Sequence, residues 1–83
     1  MRELVLTKSA RRALASLPEN TRAQLQAKIE QYAREPESLR NNVAKLQGRP
    51  GYRLRVGSWR VIFEESGAEV TVLEIGPRGG VYE

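Results

Sequence analysis

The stretch "YRLRVGSWRVIF" (52–63) constrains the fold more than any other part of the chain. Two alternating runs flank Gly57-Ser58, and a two-residue loop with glycine first is what a type II′ hairpin turn requires. That turn fixes the pairing as Val56 with Trp59, Arg55 with Arg60, Leu54 with Val61, Arg53 with Ile62 and Tyr52 with Phe63. Side chains alternate between faces, and paired residues share one. Tyr52, Leu54, Val56, Trp59, Val61 and Phe63 therefore form a continuous apolar face, suited to packing under helices. Arg53, Arg55, Arg60 and Ile62 form the other. Arg55 and Arg60 stand directly opposite each other on that face, and like charges so placed cost stability.

Arginines on a solvated sheet face can serve solubility and guard an edge against aggregation. The charge distribution argues for more. From Ser38 through Phe63 there is no carboxylate, while Arg40, Lys45, Arg49, Arg53, Arg55 and Arg60 all fall inside. The acids gather afterwards, at Glu64, Glu65, Glu69 and Glu74. A local rule broken inside a basic block marks a candidate anion-binding surface. The net charge of +4 alone would favour a polyanion partner only weakly.

The rest of the chain supplies the cover for the apolar face. "ELVLT" (3–7) is β-prone and predicts a first strand. Thr7 predicts an N-cap for a helix through about Ser16, with Ala10, Ala13, Leu14 and Leu17 at helical spacing. Pro18 breaks it, and Asn20 or Thr21 is the expected cap of a second helix whose stripe is Leu25, Ile29, Tyr32 and Ala33. Pro36 ends that helix, because the residue before a proline is pushed out of helical backbone. The segment 36–51 reads as irregular, anchored by Leu39, Val43 and Leu46. Three strands follow, over 52–56, 59–64 and 69–75.

For the last strand, a three-residue loop Ser66-Gly67-Ala68 would pair Thr71 with Phe63, Leu73 with Val61 and Ile75 with Trp59. It would set Glu74 opposite Arg60 and turn Val70 and Val72 to the open face. A two-residue loop would send Glu74 toward the core, so the longer loop is the expectation. The fold class is then α+β: an N-terminal strand and two helices packed on an antiparallel sheet that ends in a three-stranded meander. With 83 residues, positions 1–83 form a single domain. How the first strand joins the sheet is not legible.

Composition narrows the chemistry. The chain has no histidine and no cysteine, so the commonest acid/base group, the common zinc ligands and any disulfide are all missing. No metal site and no cofactor are expected. Gly76, Gly79 and Gly80 lack the strand-to-helix context of a nucleotide-binding loop. No stretch approaches the length of a membrane span, and the N-terminus lacks the apolar run of a signal peptide, so a cytoplasmic location is expected.

From Lys45 to Tyr82 the chain resembles the RelE branch of the RelE/ParE toxin superfamily, through "KLQG", "YRLRVGSWRVIF" and the closing "IGPRGGVY". The preceding strand-helix-helix order agrees. The resemblance implies the RelE-like fold and a type II toxin-antitoxin toxin that cleaves mRNA on the ribosome. It implies as partners the ribosome, mRNA and a cognate antitoxin encoded by an adjacent gene. Carried over by motif position, Arg53 and Arg55 are RNA- or phosphate-binding, with Lys45 beside them in the basic block. Arg60, Arg78 and Tyr82 are the catalytic candidates. Tyr82 would stack on a splayed base, or else pack on the sheet edge.

The implied reaction is attack of an RNA 2′-OH on the adjacent phosphate, with guanidinium groups stabilising the charge that develops. The family often places lysine in the hairpin as proton acceptor, whereas arginine here stays protonated. The base is therefore open among Glu74, Tyr82, solvent and a ribosomal group. Two other readings stand beside the nuclease: a ParE-like DNA gyrase poison without nuclease activity, and a non-catalytic member that only binds antitoxin or RNA.

Overall fold

The computed structural model describes residues 2–77. The chain runs β1 (Glu3–Leu6), α1 (Lys8–Ala15), α2 (Glu19–Arg34), a 3-10 segment (Pro36–Asn42), β2 (Val43–Lys45), β3 (Tyr52–Val56), β4 (Trp59–Ser66) and β5 (Glu69–Pro77). The α+β architecture is as expected. The sheet is larger than the expected meander. It has five strands in the order β1-β5-β4-β3-β2, with β1 parallel to β5 and the other pairs antiparallel. A three-residue strand such as β2 is too short to stand out in the sequence, and the β1–β5 pairing joins the two ends of the chain.

Helix α1 starts where the cap residue puts it. Thr7 is extended, and its hydroxyl oxygen accepts from the Ala10 amide at 3.1 Å. Helix α2 begins earlier than the expected cap at Asn20 or Thr21: Pro18 is its N-cap, without a side-chain bond, and Glu19 opens the first turn. A carboxylate at that end favours the helix dipole. Before Pro36, Glu35 leaves helical backbone (φ −140°, ψ 74°) and ends the helix.

The β3–β4 register is the one the Gly57-Ser58 turn dictates, with Arg55 paired to Arg60. Gly57 has a φ of 59°, the left-handed backbone that the first position of this turn demands. Tyr52, Leu54, Val56, Trp59, Val61 and Phe63 all belong to the main core, under Ala10, Leu14, Leu25, Ile29 and Tyr32. Tyr32 packs tilted on Phe63 with ring centres 4.8 Å apart, and Tyr52 stacks on Phe63 at 5.5 Å.

The last strand departs from expectation. The loop is the two-residue turn Gly67-Ala68, pairing Ser66 with Glu69, Glu64 with Thr71 and Phe63 with Val72. Val70 and Val72 are therefore core residues and Thr71 faces the other way. A β-bulge then inserts Leu73, so that Glu74 pairs with Ile62, Ile75 with Val61 and Gly76 with Arg60. Without the bulge, Glu74 would oppose Val61 and face the core. The extra residue turns the carboxylate back to the arginine face and lets Leu73 pack on Ile62 and Leu46. This small second cluster covers Ile62, which is fully buried although it lies on the face away from the helices.

Candidate functional site

Arg53, Arg55 and Arg60 share the sheet face opposite the helices, because each alternates with a core residue of the same strand. They line one recess of about 140 Å³, together with Asn41, Asn42, Val43 and Ala44. Two structural devices build it. The tight turn sets Arg55 and Arg60 across from each other, and β2 brings Ala44 opposite Arg53 on the outer side. Alanine leaves the recess open there, where a longer side chain would fill it. The end of the 3-10 segment then closes over β3, and the Asn42 amide donates to the Arg55 carbonyl at 3.4 Å.

The three guanidiniums differ in exposure. Arg55 is exposed, while Arg53 and Arg60 are half-buried, with Nε and Nη1 of Arg60 shielded from solvent. A guanidinium offers only donors, in a planar fork that matches carboxylate or phosphate oxygens. Three of them at one recess can hold an anion and stabilise charge that develops on it. None can act as a base.

The remaining cations of the acid-free stretch do not line this recess. Arg49 pairs with Glu74 at 3.8 Å, so Glu74 is a partner of Arg49 and the expected Glu74–Arg60 opposition does not form. The cross-strand neighbour of Arg60 on β5 is Gly76, which has no side chain to crowd it. Arg40 meets Glu37 at 3.9 Å, both strongly exposed. Lys45 pairs with Tyr52, which puts it on the helix side of the sheet, away from the arginine recess. Arg78 and Tyr82 lie outside the described residues.

Asn41 and Asn42 escaped the sequence reading. Their only signal was an Asn-Asn pair in a segment read as irregular, and they matter because that segment ends against β3. A second polar cluster lies on the helix side. The Tyr32 hydroxyl donates to Glu65, and Arg2 stands 3.8 Å from the same carboxylate. Burial first, and then that hydrogen bond, push the Tyr32 phenol well above the ordinary tyrosine range. Tyr32, buried against Phe63, serves the core. Among the described residues, no group of three or more acidic side chains is arranged to hold a metal ion, and no helix is long and apolar enough to cross a membrane.

Comparison with known proteins adds the family. The family model described as the ParE toxin of the type II toxin-antitoxin system parDE matches residues 4–82. The archaeal RelE in the RelE-RelB complex from Pyrococcus horikoshii is 27% identical, with a TM-score of 0.77 over 96% of this chain and 98% of that one. The toxin-antitoxin complex RelBE2 from Mycobacterium tuberculosis contains a chain 22% identical at a TM-score of 0.80, covering 93% of this chain and 98% of that one. The intact RelBE complex from E. coli gives 23% and 0.76, covering 93% and 96%. At those identities the last two speak to the fold alone. No curated protein matches the sequence.

Proposed function

We propose a function from one premise: the chain belongs to the ParE toxin family of type II toxin-antitoxin systems, within the RelE/ParE superfamily. The proposed activity is metal-independent cleavage of mRNA on the ribosome, which would arrest translation. The observation that carries it is the gathering of Arg53, Arg55 and Arg60 around one recess, with Arg55 and Arg60 opposed across the hairpin. Like charges opposed on adjacent strands repel, and a phosphodiester lying between the guanidiniums would offset that repulsion.

In the proposed reaction the RNA 2′-oxygen attacks the adjacent phosphorus, a new P–O bond forms, and the P–O bond to the 5′-oxygen breaks. The 2′-OH gives up its proton and the departing 5′-oxygen gains one. The products are a 2′,3′-cyclic phosphate and a 5′-hydroxyl. Arg60 stabilises the extra charge on the phosphate oxygens, and Arg53 and Arg55 hold the flanking backbone. Arg78, two residues after the Gly76 that faces Arg60, is assigned the second stabilising role. Tyr82 is assigned to the splayed base. Lys45, on the other side of the sheet, is left out of these contacts.

The proposed partner in the resting state is a cognate antitoxin encoded beside this chain, as the similar P. horikoshii protein is seen with RelB. An acidic segment that orders on binding suits the arginine face. A second reading has its own support, since the matching family model is that of ParE toxins. In it the same fold poisons DNA gyrase and cuts no RNA. Mapping of mRNA 5′ ends on ribosomes after induction separates the two: cuts within translated codons support the nuclease, and supercoiling defects without cuts replace it.

A further inference from the structure

The arginines explain how a phosphate would be held, but they leave the recess one-sided. Guanidiniums donate hydrogen bonds and accept none. The exocyclic amine of a nucleobase would find no acceptor among Arg53, Arg55 and Arg60. The side-chain acceptors in the lining come from Asn41 and Asn42. Asn42 keeps its oxygen as an acceptor, but its amide nitrogen is directed at the Arg55 carbonyl at 3.4 Å and so is turned from a base edge. Asn41 is exposed, and its side-chain amide makes no hydrogen bond among the described residues. The neighbouring Asn42 contact ties the end of the 3-10 segment to β3, so Asn41 is presented at the recess from an anchored backbone.

We propose that Asn41 reads a nucleobase, adenine by preference, on the nucleotide next to the phosphate held by Arg53, Arg55 and Arg60. The inference rests on the RNA-cleavage reading above and adds a specificity element to it. A primary amide presents one donor and one acceptor side by side, which matches the N7 acceptor and N6 amine of adenine. In single-stranded RNA these edges are open, and most sequence reading of RNA takes place there. The phosphate contacts fix register without carrying sequence information, so a reader adjacent to them is where base choice can enter.

The test compares the wild type with Asn41→Ala and Asn41→Asp in two assays: ribosome-bound cut-site profiles, and binding of the purified chain to short oligo-A, oligo-C and oligo-U ribonucleotides. The wild type should favour adenine at one position by about fivefold or more. Asn41→Ala should flatten that preference. Asn41→Asp keeps an acceptor and loses the donor, so the preference should move toward cytosine, whose N4 amine needs only an acceptor. Ratios between bases cancel the general weakening from the added negative charge.

Unchanged preference in both variants overturns the proposal, and so does a uniform fall at every site without a change in ratio. Absence of any ribosome-bound cuts by the wild type would sink the nuclease reading instead. The binding arm then decides alone: discrimination between oligo-A and oligo-U that Asn41→Ala abolishes supports the inference, and equal affinities refute it.

Discussion

The Thr7 hydroxyl donates to the carbonyl of Leu73 at 3.0 Å, joining the start of the first helix to the bulge in the last strand. The same oxygen accepts from the Ala10 amide, and the Thr7 amide donates to the Val72 carbonyl at 3.0 Å. A bulged residue loses its partner in the ladder. Here the carbonyl so released is met by a side chain that also caps a helix. The bulge in turn keeps Glu74 out of the core and sets it against Arg49.

Thr7→Val should therefore cost more than a cap alone. It removes the acceptor for Ala10 and the donor for Leu73 while keeping the side chain's shape. A loss of roughly 1–3 kcal/mol is expected from the two bonds together. Thr7→Ser, which retains both groups, should recover most of it. Urea denaturation of the three proteins measures the difference, and equal midpoints for Val and wild type would refute the dual role.

This bulge also marks the limit of what was legible in the sequence. The β3–β4 hairpin was readable because Gly57-Ser58 and the alternation around it are local, so turn and register demand the same pairing. The phase of β5 was not, since the choice between a two- and a three-residue loop rested on keeping Glu74 out of the core. The protein meets that demand with Leu73, whose unpaired carbonyl depends on Thr7 at the far end of the sequence. The strand β1 was itself legible in "ELVLT", but its parallel pairing with β5 was hidden for the same reason. At the site, Arg53, Arg55 and Arg60 followed from the register alone. Asn41 and Asn42 did not, because they reach the recess only through the path of the 3-10 segment.

Arg55→Gln leaves a shorter, uncharged polar side chain at this exposed position and removes one of two opposed charges. Stability should hold or rise by up to about 0.5 kcal/mol, as relief of a cross-strand like-charge pair predicts. The gain should shrink as salt is added, since Arg55 is exposed and screened. Growth arrest on induction should weaken at the same time. A variant that is less stable at low salt would show that the opposed pair is not a strain on the free protein.

Tyr32→Phe removes the hydroxyl that donates to Glu65 and leaves the ring against Phe63. The folded protein holds the Tyr32 proton more tightly than the unfolded chain does, because burial and then the Glu65 bond raise its pKa. The resulting contribution is fully present below the unfolded pKa of about 10 and is lost as pH rises beyond it. Wild type should be the more stable protein near neutral pH, by about 1–2 kcal/mol. Its stability should also fall more steeply than that of Tyr32→Phe above pH ~10. Denaturant midpoints across neutral and alkaline pH check the sign, and parallel curves for the two proteins would contradict it.

Arg60→Ala and Arg78→Ala test the chemistry. Removing one preorganised donor from a transition-state site typically lowers the rate by roughly 10²- to 10³-fold. Arg60 lies on the face away from the helices, so its loss should leave the hairpin register and the helix-covered core in place, which circular dichroism and a thermal scan can verify. Both variants should fail to arrest growth while still co-purifying with the antitoxin, and ribosome-bound mRNA cuts should disappear with the arrest. The gyrase reading makes the opposite prediction. If both variants still arrest growth, and plasmid supercoiling is disturbed while mRNA ends stay unchanged, the arginine recess is not a cleavage site and the ParE-type activity takes its place.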